Sequence, residues 1–126
     1  MGMEVLMNPG PVFTKPLDVP EDVHDLQTDH VAERLQYVYD AITLTRQRLA
    51  GRVPLIGFCG APWTLMSYMI EGGASKTLQK SKTWLFKHPD QSKALLQLIT
   101  TACIDFLVGQ AQAGAQVHPT SLYLST

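Results

Sequence analysis

Apolar residues along the chain fall into two kinds of spacing, which together predict a helix-rich α/β protein. From about His30 to Ala50, Val31, Leu35, Val38, Ile42, Thr45 and Leu49 recur at intervals of four and three. That spacing places them on one stripe of a helix. Asp29 is the expected N-cap and Gly51 the left-handed C-cap, with Arg46 and Arg48 complementing the negative helix end. A second stripe, Leu95, Leu98, Ile99, Ala102, Phe106 and Gly109, widened by Leu96, Cys103 and Leu107, predicts a longer helix from Pro89 to Ala113. Pro89 and Asp90 suit its first turn, and Gly114 ends it.

Between these helices the spacing changes. Val53 to Phe58 is continuously apolar, reaches the small pair Gly60-Ala61, and is followed by Pro62 at a first helical position. A fully apolar strand that feeds a helix is one step of a parallel sheet buried on both faces. In such sheets the chemistry collects just past the C-terminal strand ends, here Cys59 to Tyr68. Helices are expected over Pro62–Ile70, stopped by Gly72-Gly73, and over Ser75–Lys87. Ala115-Gln116-Val117 then reads as the next strand. Before all of this, Met1 to Pro20 is an extended lead-in. Glu4 to Met7 is a short strand candidate, but a ladder is not expected across Pro9, Pro11, Pro16 and Pro20. A helical turn is expected at Pro20 to Leu26.

Composition narrows the function classes without choosing one. With 126 residues, 45% of them hydrophobic, the chain can bury the core of one ordinary domain. A net charge of −1 argues against a dedicated nucleic-acid binder. The longest uninterrupted apolar run, Leu55 to Trp63, is too short for a membrane span, and the N-terminus lacks a secretory pattern. A cytosolic protein is therefore expected, with Cys59 and Cys103 reduced and buried. The four histidines and two cysteines show no paired metal-ligand spacing, and no phosphate loop or serine-nucleophile motif occurs. No metal is expected from these spacings. Lys76, Lys80, Lys82 and Lys87 read as a solvated helix face, the alternative being attraction of an acidic substrate.

One stretch carries a family resemblance. Gly57-Phe58-Cys59-Gly60-Ala61-Pro62-Trp63-Thr64-Leu65, then Tyr68, then Glu71-Gly72, resembles a signature of the uroporphyrinogen decarboxylases of haem biosynthesis. The likeness runs from about Gly2 to about Gln116. It includes Ala41-Ile42-Thr43-Leu44-Thr45-Arg46-Gln47-Arg48-Leu49 and Asp105-Phe106-Leu107-Val108-Gly109-Gln110. The resemblance implies a partial (β/α)8 TIM barrel over residues 1–117, of about two βα units. At His118 to Thr126 the chain departs from the family pattern, and a divergent, disordered tail is expected.

The resemblance further implies conversion of uroporphyrinogen III to coproporphyrinogen III, with four acetate side chains losing CO2. It implies a homodimer in the full-length family and no metal or organic cofactor; from charge and run length, no nucleic-acid or membrane partner is expected. Such chemistry needs arginines to hold several carboxylates and a buried carboxylate to face a protonated pyrrole. The family's arginine-rich motif, its aspartate and its C-terminal histidine are not matched in this chain, so no catalytic residue is assigned and the chain alone is expected to be inactive.

Substrate binding is assigned to Tyr68, Gly60 and Ala61. By itself Tyr68 reads as a core tyrosine of an amphipathic helix. With the family's signature it becomes a substrate contact, its phenol donating to a carboxylate or its ring flanking the macrocycle. Gly60 and Ala61 let backbone approach a flat ligand. Phe58 and Trp63 are expected in the core. Two other readings belong beside this one: a segment of a related barrel methyltransferase, and a non-enzymatic fragment that binds the full-length enzyme. With so few strands to cover one another, the isolated chain is expected to be marginally stable or partly molten.

Overall fold

The computed structural model describes residues 1–7, 10–27 and 29–116, and the backbone alone at 122–123. The expectation for the tail His118 to Thr126 otherwise lies outside the described residues. The chain divides into two units: Met1–Thr28 with Pro62–Ile99, and Asp29–Ala61 with Thr100–Thr126.

In the first unit, β1 (Val5–Leu6) pairs antiparallel with β2 (Val12–Phe13), Val5 opposite Phe13. The lead-in thus forms a ladder that its prolines had argued against. The pairing is short enough to fit between the prolines, so none has to donate within it. A 3-10 turn follows at Pro20–Asp25, as the proline and acids predicted. The Asp22 carboxylate accepts hydrogen bonds from the backbone N–H of Asp18 (2.8 Å) and Val19 (3.1 Å). These two bonds hold the Asp22 carboxyl below its ordinary pKa.

The main helices of this unit are α3 (Pro62–Glu71) and α4 (Gln79–Lys87), preceded in the chain by α1 (Val31–Arg34) and α2 (Gln36–Leu49), which belong to the second unit. Met66 and Ile70, one turn apart on α3, are almost fully buried. The helix's C-terminal carbonyls find donors in the lead-in: Leu17 N–H to Met69 O (2.8 Å), and Phe13 N–H to Gly72 O (2.8 Å) just beyond. Helix α4 starts at Gln79, four residues later than its expected Ser75, because Leu78 takes a left-handed conformation at φ 50°. The Ser75 hydroxyl oxygen accepts from Leu78 N–H (3.1 Å) and tightens this connection. The Glu71 carboxylate then accepts from both the Ser81 backbone N–H (2.9 Å) and its hydroxyl (3.0 Å). An anion on the first turn of α4 is favourable. Trp84 is buried, and its indole N–H donates to Asp18 O (3.3 Å). Lys76, Lys80, Lys82 and Lys87 are all exposed.

In the second unit the first helical stripe is real but interrupted. It forms α1 (Val31–Arg34) and α2 (Gln36–Leu49), parted at Leu35, and ends with Ala50 and Gly51 both left-handed. Val31, Leu35, Val38, Ile42 and Leu49 are half-buried, while Thr45 is exposed and Tyr39 is the buried residue. The Arg52 guanidinium donates to Leu49 O (3.1 Å) and Arg48 O (3.2 Å), capping the end of α2. The apolar run Val53 to Phe58 is not the continuous buried strand expected. Val53, Ile56 and Phe58 are exposed, and the ladder is confined to an Ile56–Gln116 bridge and to β3 (Cys59–Gly60). A parallel strand is buried only when strands flank it and helices cover both its faces, and the described residues supply one partner.

That partner runs in the expected direction. β3 pairs parallel with β4 (Leu122–Tyr123), and the chain between them passes through α3, α4 and α5 (Pro89–Gln112). A parallel pair needs such a helical crossover. Helix α5 closes with a Schellman arrangement: Ala115 N–H to Gln110 O and Gly114 N–H to Ala111 O, both 3.0 Å, with Gly114 at φ 102°. By length and composition α5 is long and apolar enough to cross a membrane, although polar residues interrupt its apolar runs. Its Ser92, Leu95, Ile99, Cys103 and Gln110 are nevertheless buried within the protein, and Lys93 and Asp105 are exposed.

Candidate functional site

The turn after β3 is held by two devices from α5. The first is Gln110, 3% exposed, whose amide oxygen accepts from Phe58 N–H (2.9 Å) and whose amide nitrogen donates to Phe58 O (2.9 Å). One side chain thereby satisfies both backbone groups of a residue, as a neighbouring strand would. The second is Cys103, which approaches Gly60 O at 3.7 Å, while Cys59 approaches the same oxygen at 3.4 Å. Both thiols are free and buried. Their mutual contact lowers the Cys103 pKa, whereas the same contact and burial raise that of Cys59. The Phe58 backbone is therefore well anchored although its side chain, expected in the core, is 60% exposed.

The residues assigned to substrate are divided between the two units. Gly60, half-buried, and Ala61, buried, close β3 in the second unit. Tyr68 belongs to α3 in the first. Its ring is half-buried, between Ser67 and Met69, which are both buried. The Ser67 hydroxyl donates to Trp63 O (2.7 Å) within the helix, so this polar neighbour needs no ligand. Trp63 is half-buried rather than fully in the core.

Sequence reasoning placed Gln110 inside the family motif but gave it no task. The signal was available: Leu95, Ile99, Cys103, Phe106 and Gln110 keep the four-and-three spacing, so an amide stood on a buried stripe. Cavities lie elsewhere among the described residues, two of them of similar size. One of about 500 Å³ in the second unit is lined by Tyr39, Thr43, Asp105 and Gly109, among others. The Tyr39 hydroxyl is buried there without a hydrogen-bond partner among the described residues, and burial, then Asp105, raises its pKa. The other, of about 530 Å³ in the first unit, is lined by Asp18, Lys80, Trp84 and His88, among others. Neither is lined by Tyr68, Gly60 or Ala61. Among the described residues no group of three or more His, Cys, Asp or Glu side chains could hold a metal ion.

Comparison with known proteins supplies what geometry leaves open. The family model of uroporphyrinogen decarboxylase (URO-D) matches residues 1–119. The protein named uroporphyrinogen decarboxylase in Schizosaccharomyces pombe is 54% identical over 120 residues, covering 93% of this chain and 33% of that protein. Its namesake in Homo sapiens is 56% identical over 119 residues, 92% of this chain and 32% of that protein. In the bacterium Salinibacter ruber the figures are 51% over 119 residues, 93% and 34%. The chain thus spans about a third of the length of these curated relatives. A match over nearly the whole sequence, running through the Gly60–Ala61 turn, Tyr68 and Gln110, places this chain in the uroporphyrinogen decarboxylase family.

Proposed function

We propose that this chain is a substrate-side segment of a uroporphyrinogen decarboxylase of haem biosynthesis, a carboxy-lyase that converts uroporphyrinogen III to coproporphyrinogen III with release of four CO2. The observation that carries the reading is identity of 51–56% to curated uroporphyrinogen decarboxylases across more than nine-tenths of the chain. In this reading residues 1–117 are about two βα units of a (β/α)8 barrel. The β3–α3 step with its parallel partner is the part of that architecture the segment provides, and barrels of this kind place their sites at the ends of such strands.

Each residue then has a physical task. Gly60 and Ala61 present a backbone edge with almost no side chain, so a flat macrocycle can lie close to it. The Gln110 amide and the paired thiols hold that edge in place. Tyr68 donates its phenolic proton to a propionate or acetate carboxylate, or stacks its ring beside a pyrrole. Each decarboxylation also needs a group that stabilises the protonated pyrrole, and cations that neutralise the remaining carboxylates. The family supplies these from residues with no match in this sequence. The reading carries a cytosolic location, no metal or organic cofactor, and a homodimer for the complete enzyme.

The test is formation of coproporphyrinogen from uroporphyrinogen by the purified 126-residue chain. No turnover is expected from the chain alone. Turnover abolished by Tyr68→Ala would overturn the division of labour, because the segment would then assemble a complete site of its own.

A further inference from the structure

We propose that Cys59 and Cys103 are the two halves of a disulfide site that can link β3 to α5 at the Gly60–Ala61 turn. These are the chain's two cysteines, far apart in sequence, yet the fold brings both sulfurs to one acceptor, the Gly60 carbonyl oxygen, at 3.4 and 3.7 Å. Each residue is only 5% exposed. A single buried thiol behaves as a small inert hydrophobe. Two that converge on one carbonyl oxygen at a strand–helix contact are kept near each other by the fold, which is the first requirement for bonding.

The pair is also polarised. The neighbouring thiol and burial raise the Cys59 pKa while the Cys59 contact lowers that of Cys103, so Cys103 is the nucleophile. The oxidant is a hydroperoxide small enough to enter the buried contact. The Cys103 thiolate attacks one peroxide oxygen, the O–O bond breaks, and the departing hydroxide takes a proton to become water. Cys103 is now a sulfenic acid, two electrons oxidised. The Cys59 sulfur then attacks the Cys103 sulfur, expelling hydroxide, which leaves as water with the proton of Cys59. The sum is two thiols and one hydrogen peroxide giving one disulfide and two waters. In a reducing compartment the pair rests as dithiol and is linked only under peroxide, so the site is a reversible modification rather than a permanent staple. This inference rests on the contact in the second unit and is independent of the decarboxylase reading.

The test is treatment of the reduced, purified 126-residue chain with hydrogen peroxide, followed by intact mass and a non-reducing peptide map. The expected product is a monomer lighter by two hydrogens that yields one linked peptide containing Cys59 and Cys103. It should form at least about tenfold faster in buffer than in strong denaturant, because the fold supplies the effective concentration. The Cys59→Ser variant should accumulate a sulfenic acid on Cys103 that a cyclic dione probe captures. The wild-type rate ratio stands as the criterion even if that variant fails to fold. Disulfide-linked dimers as the main product, oxidation of either thiol without linkage in the wild type, equal rates with and without denaturant, or no reaction would each overturn the proposal.

Discussion

Gly109 is the position where a single methyl group tests the packing of α2 on α5. A Cβ built on Gly109 would collide with the Tyr39 ring, lying 2.6 Å from Cε1 and 2.7 Å from the hydroxyl oxygen, and nearer still to Cζ. Tyr39 is 8% exposed and leans on Phe106, with centroids 6.0 Å apart and planes tilted by 39°, so the ring can yield only toward the cavity that it lines. Overpacking of this kind costs about 1–3 kcal/mol. Against it, alanine is about 1 kcal/mol better than glycine inside a helix. Gly109→Ala is therefore expected to destabilise the chain by about 1 kcal/mol, the midpoint of that difference. In a Tyr39→Leu background, which removes the ring atoms that clash, the same change should stabilise by about 1 kcal/mol. The coupling between the two sites is then about 2 kcal/mol, well outside additivity. Urea unfolding of the four variants, followed by far-ultraviolet circular dichroism, measures it. Stabilisation of about 1 kcal/mol by Gly109→Ala in both backgrounds would refute the contact, since only helix propensity would then be acting.

Three further outcomes follow from the same structure. Gln110→Leu removes both bonds to Phe58, and backbone groups left unpaired cost about 1–3 kcal/mol; hydrogen exchange at the Phe58 amide should accelerate about tenfold or more, and unchanged protection would exclude the clamp. The Asp22 carboxyl is held low by its two backbone donors, so its contribution to stability is present above the ordinary carboxylate pKa and is lost as pH falls through its own lower value; an NMR titration placing it at or above the ordinary range would contradict the turn at Pro20–Asp25. Linking Cys59 to Cys103 should raise stability by up to about 4 kcal/mol through lost chain entropy in the unfolded state; a lower melting midpoint in the oxidised chain would mean that the bond strains the native turn.

Much of the helical part was legible in the residues themselves. The long stripe on α5 predicted its extent to within a residue, because a periodic apolar face, a proline start and a glycine stop all agree there. The breaks were not legible. Leu35 parts α1 from α2, and His30, Ala50 and Leu78 take positive φ without being glycine; such conformations are set by tertiary packing rather than by residue type. Glu71 was visible as a motif residue, but its role on the first turn of α4 depends on a contact ten residues away. The apolar strand was expected over Val53 to Phe58, whereas that run holds one bridge at Ile56 and β3 lies just beyond it at Cys59–Gly60; its burial was misjudged as well. Val53, Ile56 and Phe58 have the composition of a strand with neighbours on both sides, and one partner strand cannot cover them. Tyr68 illustrates a different limit. Periodicity makes it an ordinary helix residue, and only the family signature gives it a chemical task.

Under the proposed function, Tyr68 faces substrate in a uroporphyrinogen decarboxylase. The most direct measurement of this uses a chimera in which residues 1–117 replace the matching third of the Schizosaccharomyces pombe enzyme, assayed for coproporphyrinogen formation. The account predicts that the folded chimera turns over uroporphyrinogen, and that Tyr68→Ala lowers kcat/KM by about a hundredfold, the loss of one buried charge-assisted hydrogen bond and its ring contact. A folded chimera without activity, or one indifferent to Tyr68→Ala, would contradict it.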